Sequence, residues 1–238
     1  MSSHDAITAQ ISGSVRNLLR NVLKQDAPVA PRGGGAATSA ASAIQLSPGI
    51  RQSKGLREFW NAVGAADGMQ ILDLGAASQQ NINFITGLGH RLCTEDLYRS
   101  LQFDASRKPT AESVEAEAAQ FFRDNLNYQK GQFDGVLCWD LLDFLPDSVI
   151  APLVAVLYEF LKPDGHLLGF FHAGQPGQIV PVEQYRICGP DQLQVTQRGT
   201  GKLWRSFNNR AIESLFRDYA SLKFFLTKDN LREVIIVR

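Results

Sequence analysis

Met69-Gln70-Ile71-Leu72-Asp73-Leu74-Gly75-Ala76 is an apolar run that ends in an acid and a glycine, and a second acid, Asp96, follows Asp73 by 23 residues. Residues 71–74 read as a short buried strand, and Gly75 stands where a chain leaving such a strand turns tightly and lets a ligand approach its backbone. Residues 80–88 are compatible with a helix, Gly89 ends it, and residues 91–94 form a second apolar segment closed by Glu95 and Asp96. The separation of the two acids is close to the roughly 20-residue offset at which a nucleotide-binding βαβ unit sets a carboxylate on ribose hydroxyls.

At Asp73, Gly75 and Asp96 the chain resembles the class I S-adenosylmethionine-dependent methyltransferases. The resemblance continues through Gly131-Gln132-Phe133-Asp134-Gly135-Val136-Leu137-Cys138-Trp139-Asp140, similar to the family's fourth strand, and through Leu161-Lys162-Pro163-Asp164-Gly165, similar to the turn into its fifth. It covers residues 57–172, with a plausible tail to Arg238. The resemblance implies a Rossmann-like doubly wound α/β fold. Its seven-stranded sheet is mostly parallel with an antiparallel C-terminal strand, and helices cover both faces. It also implies S-adenosylmethionine as cofactor, with Asp73, Gly75, Ala76 and Ala77 at the methionine end and Glu95 and Asp96 at the ribose. Asn125 and Leu126 then stand by the adenine, in the exit loop of a third strand expected over residues 119–123, and Trp139 and Asp140 by the methyl group. One departure stands out: the family's Gly-x-Gly-x-Gly loop is here Gly75-Ala76-Ala77-Ser78-Gln79, and the methyl of Ala77 is expected to narrow the approach to the backbone.

Composition narrows the function classes. The 238 residues suffice for one sizeable core. Lys+Arg and Asp+Glu are both 24, so no global basic field points to nucleic acid or an anionic membrane. Cys93, Cys138 and Cys188 are odd in number, widely spaced and without a C-x-x-C pair, which speaks against a disulfide framework or a zinc site and fits a reducing cytoplasm. No apolar stretch has bilayer-spanning length, and a signal-peptide core is not expected.

Three segments are expected along the chain: an N-terminal tail over 1–26, a linker over 27–47 and a methyltransferase-like domain over 48–238. Residues 27–47 are rich in Ala, Gly, Ser and Pro, the composition of a flexible linker. Ile11, Val15, Leu18, Leu19, Val22 and Leu23 recur at helical spacing, which makes an amphipathic helix. It serves either docking to a partner, a second subunit or a membrane surface, or packing on its own domain. Helices are expected over 55–64, 110–119, 148–161 and 208–219. Residues 222–226 and 233–237 read as closing strands. A variable insert over 173–202 contains two runs, 184–188 and 192–197, that pair as a hairpin across Gly189-Pro190-Asp191.

His172 closes the expected fifth strand and is the candidate for acid/base work, because imidazole titrates near neutral pH; the alternative is a hydrogen-bonded structural histidine. Trp139 is open between pocket wall and core. Methyl transfer from a sulfonium needs alignment and exclusion of water more than dedicated acid/base groups, so a catalytic motif need not appear. The leading expectation is methyl transfer to an unidentified acceptor, most simply a small molecule. A second is a catalytically silent relative that keeps the fold as a binding or scaffold module. A nicotinamide dehydrogenase is disfavoured by the missing G-x-G-x-x-G, which leaves no bed for a pyrophosphate.

Overall fold

A computed structural model describes residues 49–101, 111–227 and 231–238. The expected N-terminal helix and linker lie outside these residues. The main sheet has six strands in the order β3-β2-β4-β5-β9-β8: β2 Gln70–Asp73, β3 Arg91–Thr94, β4 Phe133–Trp139, β5 Leu161–His172, β8 Ser221–Leu226 and β9 Leu231–Val237. β2 pairs in parallel with β3 and β4, and β4 with β5, whereas β9 runs antiparallel to both β5 and β8. The fold is thus a Rossmann-like α/β sheet with one antiparallel strand near its C-terminal edge. The chain passes from β2 to β3 on one side and returns to β4 on the other, which puts the switch in strand order between β2 and β4.

The sheet has six strands among the described residues, not the seven expected. Residues 119–123, expected as the third strand, belong to helix α4, Ala111–Asn125. Ala118, Phe121, Phe122 and, just past the helix end, Leu126 are buried at i, i+3, i+4 and i+8, a helical stripe that packs into the main core. A short apolar run such as Ala-Ala-Gln-Phe-Phe has no period of its own, so its helical neighbours decide its state.

Helix α1, Lys54–Val63, begins at Ser53, whose hydroxyl accepts from the Leu56 amide, and buries Leu56, Phe59, Trp60 and Val63 against one face of the sheet. Helix α2, Gln79–Gly87, is capped by Ser78 and also lies beside that core. Helix α5, Asp147–Phe160, packs with α4 on the opposite face and carries Ile150, Leu153, Val154 and Leu157 inward. Two short helices, α3 Leu97–Leu101 and α6 Asn209–Leu215, complete the layers. His90 is buried with its ring parallel to Trp60 at 6.2 Å, a packing role.

The expected hairpin is present and longer than its two runs: β6 Ile179–Gly189 pairs antiparallel with β7 Gln192–Lys202. A third strand, β1 Gly49–Gln52, adds to β7 and makes a separate three-stranded sheet. Asn81 on α2 fastens this sheet to the main one: its Nδ2 donates to the Tyr185 carbonyl and its Oδ1 accepts from the Ile187 amide. The hairpin therefore covers the carboxyl ends of β2 and β4.

Candidate functional site

The covered strand ends enclose a narrow cleft lined by Gly75, Ala76, Asp96, Trp139, Asp140 and Tyr185, among others. Asp73, the last residue of β2, lies beneath it, fully buried. One carboxylate oxygen accepts from the Trp139 indole at 2.6 Å and the Gly75 amide at 2.9 Å; the other accepts from Asn81 Nδ2 at 2.9 Å. Burial pushes the Asp73 carboxyl up, and the bonds from Trp139, Asn81 and Gly75 pull it part of the way back. Asp96 follows β3. Its Oδ1 accepts from the Arg99 amide at the start of α3, and its Oδ2 pairs with Arg198 of β7 at 3.1 Å. Glu95 is turned to Tyr128, whose hydroxyl it accepts at 2.7 Å.

Trp139 closes β4 with φ of 53°, a left-handed conformation that an aromatic residue rarely adopts. This bend lays the indole directly over Gly75, where an added Cβ would come within 2.8 Å of Trp139 Cδ1. Tyr185 of the hairpin stacks on the indole at 5.2 Å and 13°. The glycine is required by the tryptophan.

Next to this stack is a titratable cluster. The Tyr185 hydroxyl donates to Asp140 Oδ2 at 3.1 Å, and burial pushes Asp140 up to about 7, against the pull of His172. Asp143, on the 3-10 turn Leu141–Phe144 after β4, accepts from both the backbone amide of His172 and its Nδ1, each at 2.7 Å. Burial alone would depress His172, but the bond to Asp143 and the charges of Asp143 and Asp140 hold it above its ordinary range. Asp143 Oδ1 is buried without a hydrogen-bond partner, an acceptor position left open in the cluster.

No family model and no curated protein matches the sequence. Among solved structures, the chain is similar to a 1,6-didemethyltoxoflavin-N1-methyltransferase from Burkholderia thailandensis with bound 1,6-didemethyltoxoflavin and S-adenosylhomocysteine. Identity is 14 %, the match covers 78 % of this chain and 77 % of that one, and the TM-score is 0.41. A SAM-dependent methyltransferase from Archaeoglobus fulgidus is 9 % identical over 77 % of this chain and 91 % of that one, with a TM-score of 0.46. The glycopeptide N-methyltransferase MtfA complexed with S-adenosylmethionine is 15 % identical over 78 % and 94 %, with a TM-score of 0.42. At such identities and TM-scores no residue role passes from these proteins to this chain.

The fit of S-adenosylmethionine is a question for the cleft itself. Its polar set is suitable: Asp96, two residues past β3, has a place in the cleft wall, and Asp140 offers a second carboxylate beside the β2–β4 switch. Its free interior space is narrow, about 30 Å³. Ligand pockets run from roughly 300 to 1,000 Å³. The stacked Trp139 and Tyr185 rings form part of the wall of this narrow cleft.

Of the residues the sequence singles out, Gly75, Ala76, Asp96, Trp139 and Asp140 meet at the cleft. Ala77 is exposed and off the lining, so the approach to the loop is narrowed by Trp139 and not by the Ala77 methyl. Asn125 is in the last turn of α4, donating to the Phe121 carbonyl, and Leu126 is buried in the core; neither lines the cleft, because the third strand that was to present them is a helix. Asn81, Asp143, Tyr185 and Arg198 were not foreseen. Only Tyr185 had a signal, its period-2 spacing from the buried Ile187.

Proposed function

We propose that this cytoplasmic protein binds S-adenosylmethionine at the cleft and transfers its methyl group to a small-molecule acceptor. The observation that carries the reading is the placement of Asp73 and Asp96 at the ends of adjacent parallel strands, with Gly75–Ala76 and Trp139–Asp140 facing one cleft at the β2–β4 switch. The free thiols of Cys93, Cys138 and Cys188 suit a reducing compartment. When bound, the cofactor supplies an electrophilic methyl on a sulfonium. Asp96 would hold the ribose hydroxyls, the carboxylate of Asp140 would favour the positive sulfur, and the hairpin would exclude water. His172, oriented by Asp143 through Nδ1, would take the proton that the acceptor loses.

Calorimetric titration with S-adenosylmethionine and S-adenosylhomocysteine tests the reading. Asp96→Ala is expected to weaken binding by roughly 1–3 kcal/mol through loss of charge-assisted hydrogen bonds. His172→Ala is expected to leave binding intact and lower turnover. Equal affinity in a folded Asp96→Ala variant would remove that carboxylate from the site. The indole packed on Gly75 favours a second reading, a catalytically silent binding protein. It expects neither ligand to bind the wild type.

A further inference from the structure

A second cavity of about 310 Å³ opens beside the cleft, lined by Tyr98, Arg99, Val182, Arg198, Gly199 and Thr200. Tyr98, Val182 and Arg198 line both spaces, so the two are neighbours across a shared wall. Two of the six lining residues are arginines and none is acidic. Asp96 neutralises Arg198 at 3.1 Å, and among the described residues no carboxylate pairs with Arg99, which adds a positive charge to the cavity lining. The chain as a whole has no excess of base, so this local excess is not a by-product of composition. Thr200 adds a hydroxyl, and the Tyr98 ring, 5.5 Å from Phe144 in an edge-on contact, adds an aromatic wall. Guanidinium groups bind planar or tetrahedral oxyanions through paired N–H donors, a better match to an acid than to an amine or a neutral ring. The volume suits a small organic molecule and not a polymer.

We propose that this cavity binds the acidic group of the methyl acceptor: the acceptor is a small organic anion, a carboxylate or a phosphate ester. Arg99 and Thr200 hold the anion while its other end reaches the Trp139–Asp140 side of the cleft. The assignment rests on the methyl-transfer reading for its purpose, but its chemistry can be tested alone.

The test uses fluorine NMR on the full chain with 4-fluorobenzoate, 4-fluorophenyl phosphate and the neutral 4-fluorobenzamide. At least one anion is expected to show saturable broadening that the amide lacks, and the tighter of the two identifies the acid. Arg99→Gln is expected to weaken that anion at least fivefold, Arg99→Lys to restore part of the loss, and Thr200→Val to weaken it less. Arg99 is exposed, so these variants should fold. Equal binding of the amide, no binding of either anion, or an indifferent Arg99→Gln overturns the proposal. Calorimetry with S-adenosylhomocysteine on the same variants separates the two readings. Anion binding without cofactor binding sinks the methyl-transfer reading and leaves the anion site; cofactor binding without anion binding does the reverse.

Discussion

Trp139 concentrates the conflict within the site, because one side chain bonds Asp73, covers Gly75 and stacks on Tyr185 from a left-handed backbone. If it closes the cleft against the cofactor, Trp139→Ala should raise the affinity for S-adenosylhomocysteine several-fold by removing the closed state. It should also cost about 3–5 kcal/mol of stability, the usual range for emptying an aromatic site. A folded variant with weaker binding in calorimetry would make the indole part of the pocket instead. Asp140 gives a prediction in pH. Its carboxyl ionises near 4 in an unfolded chain and at about 7 in the folded protein, so between these values the folded state alone keeps the proton. Stability must then fall as pH rises from about 4 to about 7, and above 6.5 the raised His172 adds a loss of the same sign. Asp140→Asn keeps an acceptor for the Tyr185 hydroxyl and should flatten this part of the profile of thermal midpoint between pH 4.5 and 8. An unchanged slope would show that Asp140 is already ionised in the fold. The sequence named Asp140 from its place after a strand; Asp143 follows three residues on in the next turn, whereas Tyr185 is brought to it from the hairpin, 45 residues away.

Among elements, the legible ones are those whose pattern is settled by their own residues. β3 lies where its apolar run predicts, and α1 carries Leu56, Phe59, Trp60 and Val63 on the face their spacing sets. The failure at residues 119–123 has a physical cause, since a buried two-phenylalanine run packs equally well from a strand or from a helix that flanks it. The contact between α1 and β4 depends on Gly135, where an added Cβ would come within 2.5 Å of the Phe59 ring and 3.2 Å of Ile71. Both neighbours are fully buried, so neither can yield without displacing the layer behind it. Gly135→Ala should therefore destabilise the protein by about 1–3 kcal/mol through overpacking, measurable as a lower denaturant midpoint with unchanged m-value. No change in midpoint would mean that the helix slides freely over the sheet.

For the molecule as a whole, the question is what joins the small sheet to the large one, because the hairpin can guard the cleft only if it is held there. Asn81 is one tie. Another is Glu233 on β9, fully buried, which accepts from Arg51 of β1 at 2.7 Å, from the Ser53 hydroxyl at 3.0 Å and from the Gly55 amide at 2.6 Å. Arg51 also lies over the Phe170 ring at 5.5 Å. A four-residue edge strand thus supplies the countercharge for a buried carboxylate on the strand next to the edge of the main sheet, a relation that 182 residues of separation hide from sequence reading. Two truncations follow from it. A chain beginning at residue 48 keeps β1 and should melt with the full-length protein. A chain beginning at Ser53 loses β1 and Arg51, and stranding one partner of a buried ion pair costs about 3–5 kcal/mol. At about 2–4 °C per kcal/mol for a domain of this size, its midpoint should fall by roughly 6–20 °C. Hydrogen exchange should show the loss spreading into β6 and β7, since β7 becomes an open edge. A comparable fall on removing only residues 1–47 would mean that those residues pack on the domain, and the boundary near residue 48 would be wrong.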